Sequence, residues 1–209
     1  MKTKIAAFIL MLFCSVNTRA QRDELFIPES NFHPSFVGCR IIPDSIKFYP
    51  QNPTDVVSFV YETKQAPGVV FNSAKKWVAK TFKEYKDVVQ MEDINSHTLI
   101  FKGSIRQKLY KTSKSSYYSI LFYTATIECK EKKYRVKLED FSIKEIGSVL
   151  GYPTNQTMTF REIHELINGT KVTSIEYKKY LKHIIEDAKE NTAALFNSLS
   201  SAMDNVDDF

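Results

Sequence analysis

NSAKKWVAKTFKEYK, residues 72–86, is the stretch on which the reading of this chain turns. Ala74, Trp77, Val78, Thr81, Phe82 and Tyr85 recur at helical spacing and share one face, while Lys75, Lys76, Lys80, Lys83 and Glu84 take the other. Asn72 has the side chain of an N-cap, so the spacing predicts a helix that begins there. Trp77 and Phe82 are the expected anchors of its buried stripe, and Trp77 reads as packing. A single amphipathic helix needs an apolar surface to lie on. The residues that follow provide one.

VVQMED (88–93), HTLIFKGSIRQKL (97–109), YYSILFYTATIECK (117–130) and KYRVKLEDFSIK (133–144) are rich in β-branched and aromatic residues, and most of them alternate. Leu99, Phe101, Ile105 and Leu109 fall on one face of the second stretch, with Thr98, Lys102, Ser104, Arg106 and Lys108 on the other. Leu121, Tyr123, Ala125, Ile127 and Cys129 form the apolar face of the third. In the fourth, Val136 and Leu138 are followed by Phe141 and Ile143, a phase change that predicts a bulge or a strand end near Glu139–Asp140. The links KTSKS and KEKK are short and polar, as antiparallel hairpins require. Upstream, DVVSFVYET (55–63) reads as a first strand, and Gln65-Ala66-Pro67-Gly68 as the turn into the helix.

Downstream, GSVLGYPTNQT (147–157) reads as a loop. TFREIHELING (159–169) reads as a short helix capped near Thr159 and closed by Asn168-Gly169. A long helix to about Met203 is expected to open on a Thr173–Glu176 capping box. Tyr177, Leu181, Ile184, Ile185, Ala188, Leu195 and Leu199 make its stripe, expected to pack across the sheet. The fold class is therefore α+β: an antiparallel sheet of about five strands, two main helices on one face, in the order β-α-β-β-β-β-α. The domain is expected over residues 55–203, before an acidic tail at 204–209.

The start of the chain has a different character. Lys2 and Lys4 precede IAAFILMLFCSV, an apolar run of signal-peptide length, and Thr18-Arg19-Ala20 offers a cleavage site before Gln21. Residues 1–20 are expected to direct export and be removed, which places the protein in the periplasm or at the cell surface. The formal charge of +5 then falls to +2, with 26 basic and 24 acidic side chains left. So small an excess argues against a nucleic-acid partner. Residues 21–54 hold five of the seven prolines and read as a packed, extended lead-in or part of a binding surface. Cys39 and Cys129 survive cleavage. They are either a disulfide, as an oxidising compartment allows, or two buried thiols.

The stretch from VSFVYET through AKKWVAKTFKEYKDVVQMED to YRVKLEDFSI, with Lys102-Gly103 inside its third strand, resembles a family of exported proteins found mainly in Bacteroidota. That family is described as a domain of unknown function with a TBP-like fold. The resemblance covers roughly residues 55–145 and implies a fold and an export address. It brings no catalytic residues.

The chemistry of known motifs is missing. HELIN (164–168) has Asn168 where a zincin helix needs its second His, so His164 and Glu165 read as helix surface. His33, His97 and His183 show no ligand spacing, and there is no phosphate loop or nucleophile elbow. No catalytic residue, metal or cofactor is expected. The surface of most interest is the outer sheet face, where Lys102, Arg106, Lys108, Arg135 and Lys137 would lie with Thr124, Thr126, Tyr118 and Phe122. Such a face either binds an anionic polymer or glycan, or is a solvated face of ion pairs to Glu92, Glu128 and Glu139. The expected function is a non-enzymatic binding module contacting a glycan, an anionic polymer or an envelope protein. The alternative is an accessory subunit of an envelope assembly that docks through its C-terminal helix.

Overall fold

The computed structural model describes residues 26–27, 41–43, 46–48, 56–82, 84–112, 115–149 and 152–204. The expected export segment 1–20, most of the lead-in including Cys39, and tail residues 205–209 lie outside these.

Among the described residues, nine strands and four helices follow one another: β1 (Phe26–Ile27), β2 (Val57–Glu62), α1 (Pro67–Thr81), α2 (Tyr85–Val88), β3 (Val89–Asp93), β4 (Thr98–Arg106), β5 (Tyr110–Lys111), β6 (Ser115–Lys130), β7 (Lys133–Val149), β8 (Tyr152–Thr154), β9 (Thr157–Met158), α3 (Phe160–Asn168) and α4 (Ile175–Asp204). The nine strands fall into five lanes. β6 and β7 form a long antiparallel hairpin at the centre. One edge of β6 carries β4 and then β5. The far edge of β4 carries β3 antiparallel and β1 parallel. The free edge of β7 carries β2, β9 and β8 in succession. The expected five-strand antiparallel sheet is present, with the parallel β1 pair and the short strands completing its outer lanes.

α1 begins earlier than the spacing predicted. Pro67 takes the first helical position, where its fixed φ and missing donor are harmless, so QAPG is the helix start and Asn72 sits exposed inside the helix. Phe82 is its C-cap, and Tyr85 belongs to the short α2. Val70, Phe71, Ala74, Trp77 and Val78 are buried on the sheet. α4 packs on the same sheet face beside α1: the Trp77 indole donates to Ser198 Oγ at 2.9 Å, and the Phe59 and Phe196 rings meet edge to face at 4.9 Å. Its cap is Ser174, whose hydroxyl accepts the Tyr177 amide at 3.2 Å, in place of the expected Thr173–Glu176 box. α3 carries a complete capping box between Thr159 and Glu162.

The expected bulge is present. Phe122 pairs with Ser142 and Thr124 with Glu139, so Tyr123 faces two residues, Asp140 and Phe141. Asp140 takes the left-handed conformation with φ 54°. This extra residue keeps Phe141 and Ile143 on the inner face after Leu138. Two other expectations are corrected. β4 stops at Arg106, so Leu109 does not continue its inner face and is exposed. The 147–157 loop contains the end of β7 and the strands β8 and β9, which use it to cover the β7 edge. Among the described residues, no helix is long and apolar enough to cross a membrane.

Candidate binding face

Alternation assigns the two faces of the sheet. Leu99, Phe101, Ile105, Leu121, Tyr123, Ala125, Ile127, Val136, Leu138 and Ile143 point under the helices and are buried. Their neighbours point to the opposite face, where pairing sets them in rows. Thr98, Glu128, Arg135 and Val60 form one row, and Ile100, Thr126, Lys137 and Ser58 the next. Then come Lys102, Thr124 and Glu139; Ser104, Phe122 and Ser142; and Arg106, Ile120 and Lys144.

Four of the five basic residues expected on this face are there. Arg135 is committed to Glu128, its partner across the hairpin, through Nε at 2.7 Å. Lys137 pairs with Glu139 two residues along the same strand at 2.7 Å. Lys102 is exposed, and Arg106 lays its guanidinium 4.3 Å from the centre of the Tyr118 ring, a cation–π contact. Glu92, expected as a third acidic partner, instead accepts from Lys75 of α1 and from Tyr85, and these bonds hold its carboxyl below the usual range. The row pattern therefore divides the face. Toward β2 its charges pair with each other. Around Lys102, Arg106 and Lys144 it carries basic side chains beside the half-buried Tyr118, Ile120 and Phe122 and the buried Ser104.

Lys108 is not on this face. Beyond Arg106 the chain leaves the ladder at Gln107, whose buried side chain donates to Ile184 O of α4 at 3.1 Å and accepts the Ser119 hydroxyl. The Lys108 amide donates to Asp187 Oδ2 at 2.8 Å, and its ammonium lies 2.5 Å from Glu190. A polar residue at an inward position, answered by a helix carbonyl, ends the alternation and swings Lys108 to the helix side.

Gly103 has a steric role. Tyr123 sits directly across the ladder and covers it with its ring, and a Cβ there would come within 2.4 Å of that ring. The Lys102-Gly103 pair thus sets a cation on the outer face beside an inner position that the Tyr123 ring leaves no room to fill.

The remaining candidates carry no convergent chemistry. His164 is half-buried on α3 and Glu165 is exposed. Among the described residues no three His, Cys, Asp or Glu side chains could hold a metal. Cys129 stands as a buried free thiol on the inner face, where burial pushes it up to about 12 and leaves it neutral. Cys39, its expected disulfide partner, lies outside the described residues. An open cleft of about 1010 Å³ beside the β6–β7 turn is lined by Lys64, Lys132 and Lys133 but also by Glu62, Glu131 and Asp204, so its charges offset.

Sequence reasoning missed one feature. Glu145 continues the inward phase set by Phe141 and Ile143, and it is 1% exposed. It is surrounded by Ser119, Tyr177 and Tyr180, which are polar residues inside otherwise apolar patterns. Continuing the alternation past the bulge would have placed this carboxylate in the core.

The family described as a domain of unknown function (DUF4468) with TBP-like fold matches residues 61–144. The resemblance read from the sequence is therefore found, over nearly the same span. A TBP-like protein from Parabacteroides distasonis has a similar structure, with a TM-score of 0.58 at 17% identity, over 75% of this chain and 97% of that one. A DUF4468 family protein from Bacteroides ovatus is similar with a TM-score of 0.53 at 15% identity, over 74% of this chain and 88% of that one. The fold is TBP-like, and at these identities the likeness extends to the fold alone. No curated protein matches the chain.

Proposed function

We propose that this protein is an exported, non-enzymatic binding module of the cell envelope that takes an anionic glycan on the open face of its sheet. The observation that carries the reading is the asymmetry of the sheet. Its inner face is closed by α1 and α4. Its outer face keeps a corner where Lys102, Arg106 and Lys144 stand among Tyr118, Ile120 and Phe122. Cations beside flat apolar rings suit the acidic groups and the apolar faces of sugar rings. The carboxylates of this face, Glu128 and Glu139, are occupied by ion pairs and do not converge on a common point, which favours a binder over a catalyst. The basic, apolar and small-residue order of residues 1–20 supports export.

Heparin serves as a polyanionic glycan probe, with a neutral glucan as control. Binding to heparin is expected to weaken with salt, and to fall about tenfold or more in the double variant Lys102→Glu/Arg106→Glu, at roughly 1 kcal/mol per charge contact. Arg135→Ala should change it little, because that charge already faces Glu128. Equal binding by the double variant would refute the proposal. The helix-docking alternative has less support, since the apolar stripe of α4 is buried in its own domain from Tyr180 to Met203.

A further inference from the structure

We propose that Glu145 is a proton-controlled joint between the sheet and the first turns of α4, seated when its carboxyl is neutral and loosened when it ionises. Its surroundings are those of a carboxylic acid. Oε2 accepts a single bond, from the Tyr177 hydroxyl at 3.2 Å, and Oε1 has no hydrogen-bond partner among the described residues. Ser119 faces it across the hairpin but donates its hydroxyl to Gln107 Oε1 at 2.5 Å. The Tyr180 hydroxyl lies beside it without closing a bond.

Among the described residues no cation compensates it. From β6 the facing groups are Tyr117 and Ser119, and from α4 Tyr177 and Tyr180. From β5 comes Tyr110, packed 5.6 Å from Tyr180 with His183 on its other side at 5.3 Å. The link before β9 contributes the Gln156 carbonyl, which accepts the Glu145 amide at 2.7 Å. On α3, Arg161, Glu162 and Glu165 are exposed and His164 is half-buried. Among the described residues no lysine, arginine or histidine forms an ion pair with Glu145. A carboxylate in such a place has lost its water and gained one neutral donor.

The same residues anchor the start of α4. Tyr177 is the first side chain of the helix to reach the core, and Tyr180 stacks on Tyr117 at 4.4 Å. Ile175 and Glu176 before them are exposed. Lifting these turns would let water reach Glu145 without disturbing the α1–α4 contact at Trp77 and Ser198.

Burial holds the Glu145 carboxyl above its ordinary range, and the Tyr177 and Tyr180 hydroxyls offset this only in part. The sign of the linkage follows. The closed state binds the proton more tightly than the open state, so closure is strongest below the ordinary carboxylate pKa. It weakens as pH rises from there through the raised value. With one proton involved, the opening constant increases at most tenfold per pH unit.

Hydrogen exchange of the amides of residues 177–187 in the full protein tests this, taken as the ratio of wild type to Glu145→Gln at each pH from 4 to 8. The ratio is expected to climb with pH in these amides and to stay level in β4 and β6. A flat ratio, or an equal climb throughout the molecule, would overturn the proposal. Tyr177→Phe gives an independent reading. It removes the Tyr177 donor to the carboxylate, so the pH-dependent range should extend higher than in wild type. A joint held by packing alone would shift equally at every pH.

Discussion

At the residue scale, the sheet depends on which inner positions are filled and which are left empty. Tyr123 fills the space over Gly103 with a buried ring. Gly103→Ala should therefore destabilise the protein by about 1–3 kcal/mol, measured by urea denaturation, despite the higher strand preference of alanine. A stability equal to wild type would show that the ring yields. The sequence displayed the Lys102-Gly103 pair but not its reason, because the covering tyrosine is twenty residues away on another strand. Trp77 was legible as a core residue from helical spacing alone. Its bond to Ser198 was not, since nothing local links the two helices. Lys108 was misplaced for a related reason: alternation was extended through Gln107, whose partner is a backbone carbonyl of α4.

At the element scale, the clearest sequence signal was the phase change in β7. It predicted a bulge, and the bulge lies at Asp140 with φ 54°. Asp140→Gly should be neutral or slightly stabilising, whereas Asp140→Val should cost about 1–2 kcal/mol, because a β-branched residue resists the left-handed region. Equal effects in thermal melts would argue against that backbone conformation. Helix starts were less legible. Both Thr173 and Ser174 look like caps, and only the position of Tyr177 three residues after Ser174 decides between them. Ser174→Ala should cost about 1 kcal/mol and Thr173→Ala close to none, again by denaturant titration. The α1 start was missed because Pro67 was taken as a turn residue. Proline serves a helix equally well at its first position.

At the scale of the whole molecule, α1 and α4 close one face of a five-lane sheet, and the opposite face runs from the buried Ser104 and Thr126 to the exposed Lys102 and Arg106. The class and the order of the main strands followed from periodicity. The short strands β5, β8 and β9 did not, since two or three residues carry no period, and they exist to cover the β6 and β7 edges. The proposed binding face was legible only in part: alternation found its basic residues, but pairing register sets Arg135 against Glu128, and Lys137 pairs with Glu139 along its own strand. The inner face holds a different device, Glu145, a carboxylate with no cation partner among the described residues, which we propose ties the helix layer to pH. The most direct test of the binding face is to titrate ¹⁵N-labelled protein with a heparin oligosaccharide and map the amide shifts. The account predicts saturable, salt-sensitive shifts around Lys102, Arg106, Tyr118, Ile120, Phe122 and Lys144, with α1 and α4 unmoved. Shifts confined to the helices or to the cleft at Lys64 and Lys132, or none at all, would contradict it.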